Sequence, residues 1–438
     1  MTGRYQAYTD YRSSEASWCG NVPTHWQDVK FKWILEEKKK TSNTSLKAGS
    51  ISFGKVIYKD EEKLAPETKA SYQEVLKGEL LINPLNLNFD LKSLRTALSD
   101  LDVVVSTGYI VAYISKGINR NYMRWVMHQF DVSHMKTMGS GVRQTINYTD
   151  IANSMVCIAP TPEQQIIANF LDHETAKIDT LITKQEKLIE LLKEKHQAVI
   201  SHAVTKGLNP NVAMKATDSG WVEKIPKHWS LGKLGYFAKV GNGATPARDN
   251  KEYWKNGSIG WLNSSKVNDE VIYEADQFIT PLALSQTSVK PVVPKDLVMA
   301  ITGEGQTRGR VAICQVDATI NQHLASIAVY DQRLHYEFLH QWLCSNYERI
   351  RYESSGAGAT KGAITCGDIS GYPIIIAPLK EQLAIVRYLK VQAFKFINLI
   401  NKSELQINLL KERKTALISA AVTGKIDVRD WDAQGVQG

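Results

Sequence analysis

Apolar side chains recur at alternating steps of four and three along two segments of the chain. From Ile167 the steps reach Leu171, Glu174, Ile178, Leu181, Gln185, Leu188, Leu192, Lys195, Val199 and His202. From Ile385 they reach Leu389, Gln392, Phe396, Leu399, Ser403, Gln406, Leu410, Arg413, Leu417 and Ala420. A seam of this period over several heptads predicts two long coiled-coil helices. The inward residues expected are Ile167, Leu171, Leu181, Leu188, Leu192 and Val199 on one helix, and Ile385, Leu389, Phe396, Leu399, Leu410 and Leu417 on the other. Polar residues break both seams at matched places, which fixes register at some cost in stability. The first helix opens on Thr161-Pro162-Glu163-Gln164, a capping pattern with proline at the first helical position, and stops at Lys206-Gly207.

The matched places reflect a duplication of the whole chain. LLKEKHQAVISHAVT (191–205) returns as LLKERKTALISAAVT (409–423), and IAPTPEQ (158–164) returns as IAPLKEQ (376–382), both 218 residues on. Near each start, WCGNVPTHW (18–26) answers WVEKIPKHW (221–229) at an offset of 203, so the second copy holds about fifteen more residues between its anchors. A two-copy repeat is no solenoid, and it fits a pseudo-twofold object. The expected layout is a globular module at 1–160, a helix at 161–207, a linker at 208–220, a second module at 221–378, a second helix at 379–425 and a tail at 426–438. The helices either pack on their own modules or pair antiparallel with each other.

The modules read mainly as strand, through GELLINPL (78–85), LDVVVS (101–106) and GYIVAYIS (108–115) in the first copy. In the second, DLVMAIT (296–302) and RVAICQV (310–316) flank GEGQTRG (303–309) as a hairpin. The fold class is therefore α+β. The glycine-rich connection has no lysine and leads into a strand, so it is not a phosphate-binding P-loop. It places Thr307, Arg308 and Arg310 on an expected mobile tip, suited to phosphate or guanine contact or else simply solvated. A second glycine-rich stretch precedes each helix, MGSGVRQ (138–144) and GAGATKG (356–362), with Arg143 and Lys361 at the same repeat position and Gln144 beside the first. Such turns let backbone amides approach an anion, or merely join module to helix. Lys92 and Arg95 are further surface candidates. Asn321-Gln322-His323 offers amides for adenine or a satisfied strand edge. His25 and His228, with Trp26 and Trp229, read as turn and core residues.

Charge refines this only modestly. The chain carries 53 basic and 45 acidic residues, a formal net charge of +8. Nine basic against three acidic residues in 379–425 leave that segment at +6, so the excess sits on one helix and says little about nucleic acid. Five scattered cysteines form no CxxC pair, which argues for reduced thiols and against a zinc site. No apolar run is long enough for a membrane helix, the start lacks the apolar core of a signal peptide, and a cytoplasmic protein is expected. Asn83-Pro84-Leu85-Asn86 only superficially matches the amino-methyltransferase signature, and no nucleophile, base and orienter converge. No catalytic residue and no metal ligand is assigned.

Taken together, WVEKIPKHW, IAPTPEQQ, LLKEKHQAVISHAVTKGL and their second copies resemble the specificity subunit of type I restriction–modification systems over essentially the full chain. The resemblance implies two target-recognition domains, each reading one half of a bipartite asymmetric site in double-stranded DNA, and antiparallel spacer helices that set the gap. It implies a non-catalytic chain with no cofactor of its own. The implied partners are two methyltransferase subunits, which modify adenine with S-adenosylmethionine, and restriction/translocase subunits that use ATP and Mg. The alternatives are a specificity subunit of another phage-defence methylation system and, from a different class, a coiled-coil scaffold that binds no DNA.

Overall fold

The computed structural model describes residues 5–62, 64–85, 94–138, 145–303, 305–355 and 362–432. The fold is α+β, with two long helices, Thr161–Lys206 and Leu379–Val422, and two sheet-rich modules. Compactness divides the chain into Met1–Glu186 with Glu404–Gly438, and Lys187–Ser403. Each unit thus takes one module, the near half of its own helix and the far half of the other. The linear division into module, helix, linker and tail cuts the chain differently, because burial follows the helix faces and not the repeat boundaries.

The two modules share one plan. In the first unit one sheet runs Lys55–Tyr58, Lys47–Ser52, Val103–Val105, Gln73–Val75, with the central pair parallel. In the second unit the order is Gln277–Ile279, Ile259–Leu262, Ala318–Ile320, Pro291–Val292, again with a parallel centre. The other sheet is antiparallel in the first unit, in the order Leu35–Glu37, Ile110–Ile114, Leu80–Ile82, Thr96–Leu98. In the second it runs Ala238–Asn242, Leu324–Val329, Leu297–Ala300, Val311–Cys314, antiparallel throughout, with a fifth strand, Val271–Ile272, added in parallel at the edge. Runs such as LLI, VVV, LVMA and VAIC are buried on both faces, which explains why they read as unbroken apolar strings instead of alternating ones.

The duplicated motifs meet at the head of each long helix. In the first unit the buried Trp26 donates from Nε1 to Glu163 Oε2 at 3.0 Å, Tyr8 donates its hydroxyl to the same oxygen at 3.0 Å, and His25 Nε2 lies 2.6 Å from Oε1. In the second, Trp229 donates to Glu381 Oε2 at 3.0 Å and His228 Nε2 lies 2.7 Å from Oε1. Each glutamate sits in the first turn of its helix, where the aligned peptide dipoles favour negative charge. The next residue repeats too. Gln164 donates to Ala159 O and accepts from Asn119 N, both at 2.8 Å, while Gln382 donates to Ala377 O at 2.7 Å and accepts from His335 N at 2.8 Å.

The same indoles receive the tail of the other helix. A Cβ on Gly424 would stand 3.3 Å from Trp26 Cη2, and one on Gly207 would stand 3.2 Å from Trp229 Cζ2. Both glycines end their helices at positive φ, 67° and 75°. Since Asp179 pairs with Lys414 at 2.6 Å in the first unit, and the rings of His196 and Phe396 lie 5.0 Å apart in the second, the helices run antiparallel within each unit. Both sequence alternatives hold together: every helix half packs on a module and on its antiparallel neighbour.

Ile167, Leu171, Ile385, Leu389, Phe396 and Leu417 are buried, and Leu192, Val199 and Leu410 are half-buried. Leu181, Leu188 and Leu399, expected in the seam, are exposed. The inward positions are the following residues, Ile182, Ile189 and Ile400, and the same one-residue shift brings Ile407 into the interior. An α-helix of 3.6 residues per turn drifts about 20° per heptad from a strict 3.5 repeat, so a seam counted from the helix head lags behind the true face.

We expect Glu163→Ala to cost about 2–3 kcal/mol in urea unfolding, because it strands two buried donors, Trp26 Nε1 and the Tyr8 hydroxyl. Glu381→Ala, at a half-buried carboxylate with a single indole donor, should cost roughly 1 kcal/mol. Equal losses would contradict this ordering.

Candidate nucleic-acid interface

The hairpin expected around GEGQTRG is present, with Leu297 opposite Ile313 and Met299 opposite Val311. Its connection is not a free tip. Arg351 donates from Nη1 to Gly305 O at 2.5 Å, and the Tyr347 hydroxyl donates to Gln306 O, so helix Tyr347–Glu353 pins the loop. Arg308 is 6% exposed, lodged where a Cβ on Gly362 would stand 1.9 Å from Nη1. Thr307 and Arg310 are half-buried. The Arg310 guanidinium is spent on Gln306 O at 3.0 Å, Asn268 Oδ1 at 3.1 Å and Gln306 Oε1 at 3.3 Å. The picture of two arginines presented on a mobile tip is therefore corrected: the loop's own carbonyls and amides occupy one, and packing under Gly362 covers the other.

Arg95 is likewise interior and not a surface positive. Its Nη1 donates to Leu85 O at 2.8 Å, and its backbone amide donates to the buried carboxylate of Asp131. Arg143, Gln144, Lys361 and Lys92 lie outside the described residues. His25, His228 and the two tryptophans serve the helix heads. Gln322 and His323 are exposed at the turn between strands Ala318–Ile320 and Leu324–Val329. They join a lateral chain: Thr245 donates to Gln322 Oε1, Gln322 Nε2 lies 3.2 Å from His323 Nε2, and His323 Nδ1 lies 2.8 Å from Thr302 Oγ1. Among the described residues offered for base reading, this amide and imidazole pair is the exposed one.

Sequence reasoning passed over Arg248. It is exposed on the connection before strand Ile259–Leu262, with its guanidinium carbon 3.9 Å from the ring centre of Trp254 and 4.6 Å from that of Trp261. The signal available was an arginine followed by tryptophans six and thirteen residues on, a pattern that stacking makes meaningful only once the loop folds back. All five cysteines are unpaired thiols, and among the described residues no group of His, Cys, Asp or Glu could hold a metal ion. No helix among them is long and apolar enough to cross a membrane.

Comparison with known proteins follows the same lines. Residues 226–409 match the model of the type I restriction modification DNA specificity domain. The chain is 27% identical over 290 residues to the type I restriction enzyme MjaX specificity subunit of Methanocaldococcus jannaschii, covering 66% of this chain and 63% of that protein. With the MjaIX specificity subunit of the same organism it shares 28% over 273 residues, 62% of this chain and 60% of the other. The match thus spans somewhat under two thirds of these relatives' own length. In solved structures, a chain from work on complex assembly and conformational transition of the type I R-M system superimposes with a TM-score of 0.68 at 16% identity, covering 92% of this chain and 98% of that one. The HsdS subunit from Thermoanaerobacter tengcongensis gives 0.52 at 15% identity, with the same coverage. At such identities the superpositions speak for the fold. The match to the DNA specificity domain thus falls on the second repeat of the α+β frame. Over roughly two thirds of its length the chain is similar to type I restriction enzyme specificity subunits, and its fold is that of the solved HsdS subunit.

Burial pushes the Asp131 carboxyl up from its ordinary 3.8 to about 6, against the opposing pull of the Arg95 amide and the Lys136 and Arg95 charges. The folded chain then holds more protons than the unfolded chain between about pH 4 and 6, so stability falls as pH rises through that window. Urea titrations should show a loss of roughly 2–3 kcal/mol from this site between pH 4 and 7. Asp131→Asn should flatten that slope, and an unchanged slope would contradict the assignment.

Proposed function

We propose that this chain is the sequence-specific DNA-binding specificity subunit of a type I restriction–modification complex. Each module reads one half of a bipartite, asymmetric target, and the paired helices set the distance between the halves. The observation that carries this reading is the doubled frame itself. Both units use the same two sheets, the same tryptophan and glutamate at the helix head, and the same antiparallel helix halves, while the connections at the sheet ends differ. A shared frame with unlike loops suits one task performed on two different sequences. Linking two readers makes the second encounter intramolecular, which raises avidity without new contacts.

The chain catalyses nothing itself in this reading. Adenine methylation with S-adenosylmethionine belongs to two methyltransferase subunits, and ATP- and Mg-dependent translocation and cleavage belong to restriction subunits. A docking surface for a partner helix is available on the second long helix. Leu383, Val391, Phe394 and Ile397 are exposed along one stripe opposite the buried Ile385, Leu389 and Phe396. A helix apolar on both faces has one face left for a partner.

Inserting four residues, about one helical turn, into 181–195 and again into 399–413 should change the tolerated spacer length and leave both half-site sequences alone. A gel-shift series over duplexes of graded spacer length checks this, and an unaltered spacer preference would sink the ruler. Phe394→Asp should remove a methyltransferase partner from pull-downs by at least tenfold while the circular dichroism and unfolding midpoint stay as in the parent, since Phe394 is 67% exposed. Undiminished co-purification would place docking elsewhere.

A further inference from the structure

The two modules depart from each other most where strand Ile259–Leu262 is inserted into its sheet. In the first module only residues 38–54 connect strand Leu35–Glu37 to Lys55–Tyr58, by way of the central strand Lys47–Ser52. In the second, residues 243–276 make the equivalent journey from Ala238–Asn242 to Gln277–Ile279, about twice as far. The extra residues of the second repeat therefore fall on both sides of one strand, and Arg248 stands in the first of the two longer connections.

The Arg248 side chain is held in place before any ligand arrives. Trp254 and Trp261 meet edge to face at 88°, with ring centres 5.2 Å apart, and the guanidinium lies against both. The indoles are themselves fixed, since Trp254 Nε1 donates to Ala247 O at 3.0 Å and Trp261 Nε1 donates to Ala244 O at 3.1 Å. Trp261 is buried beneath them in the sheet. One donor of the guanidinium is used, Nη2 to Gln277 Oε1 at 3.0 Å. Asp249 adjoins Arg248 in sequence and Glu252 follows closely, yet among the described residues no carboxylate forms an ion pair with it. A surface arginine normally loses much rotamer freedom on binding, and here stacking has already removed it.

We propose that Arg248 reads a guanine through its O6 and N7 edge in the major groove of the half-site recognised by the second module. The planar fork matches that pair of acceptors bidentately, and the remaining N–H groups are free to supply it. Trp254 and Trp261 act as positioning residues, and Gln277 sets the rotation of the fork about its stacking plane. The inference rests on the DNA-reading function proposed above and adds to it a residue and a base.

The test is selection of bound duplexes from a randomised library by the full-length chain with its co-purifying partners, followed by sequencing. Arg248→Lys and Arg248→Ala should each lose preference for guanine at one position of one half-site by roughly 10- to 100-fold. The other half-site and the salt dependence of binding should stay nearly unchanged. Gln277→Ala should weaken the same preference by a smaller factor. Unfolding midpoints of all three variants serve as the control for folding. Unaltered base preferences in Arg248→Lys and Arg248→Ala would overturn the assignment, as would weakening spread evenly over all sequences, which marks a phosphate contact. If the unsubstituted chain shows no salt-dependent DNA binding, the functional reading fails and this proposal falls with it.

Discussion

A carboxylate at the head of each long helix, gripped by a tryptophan indole and a histidine, is the contact on which the rest of each unit is built. Glu163 and Glu381 satisfy three demands at once. They neutralise the positive end of a helix dipole, accept the only hydrogen bond a buried indole can make, and hold the PxHW turn against the helix. The neighbouring glutamines extend the grip to the strand end behind and to the loop before the module's own helix. Four short motifs that look unrelated in the chain are thus one bonded cluster, present twice.

The indoles also explain why the helices end as they do. Gly424 and Gly207 stop their helices in the left-handed region, where a side chain would run into Trp26 or Trp229 or, for Gly424, into Pro23. Head and tail of opposite helices therefore converge on one residue in each unit. That convergence closes a module with half of a helix encoded a repeat away. Across the antiparallel pair Asp179 of the first helix faces Lys414 of the more basic second helix. Exposed pairs of this kind contribute little to stability, so the buried seam and the helix heads carry the packing.

Much of this was legible beforehand. The doubling, the helix starts and stops, the hairpin at 297–314 and the structural role of the histidines and tryptophans all follow from local rules, capping and period above all. The seam was legible to within one residue, because a strict heptad count ignores the drift of a straight helix. Leu181 and Leu399 pay for that simplification, while Ile182 and Ile400 take the inner face. The candidate contacts fared worse. Arg308 and Arg310 stand on a glycine-rich stretch suited to phosphate and Arg95 reads as a surface positive, but whether an arginine is spent or open depends on how the fold turns carbonyls, amides and packing groups toward it. Arg248 was missed for the mirror-image reason, since its two stacking partners and Gln277 converge only in the folded module.

The sequence by itself determined the repeat, the helices and the motif pairs, because each is written in short-range periodicity and in identity between two copies. Tertiary structure decided which helix face turns inward, that each unit is completed by a half-helix from the other repeat, and which arginines retain open donors. Those are questions of packing and of hydrogen-bond supply. They are settled by residues brought together from distant parts of the chain, so no window of local sequence contains the answer.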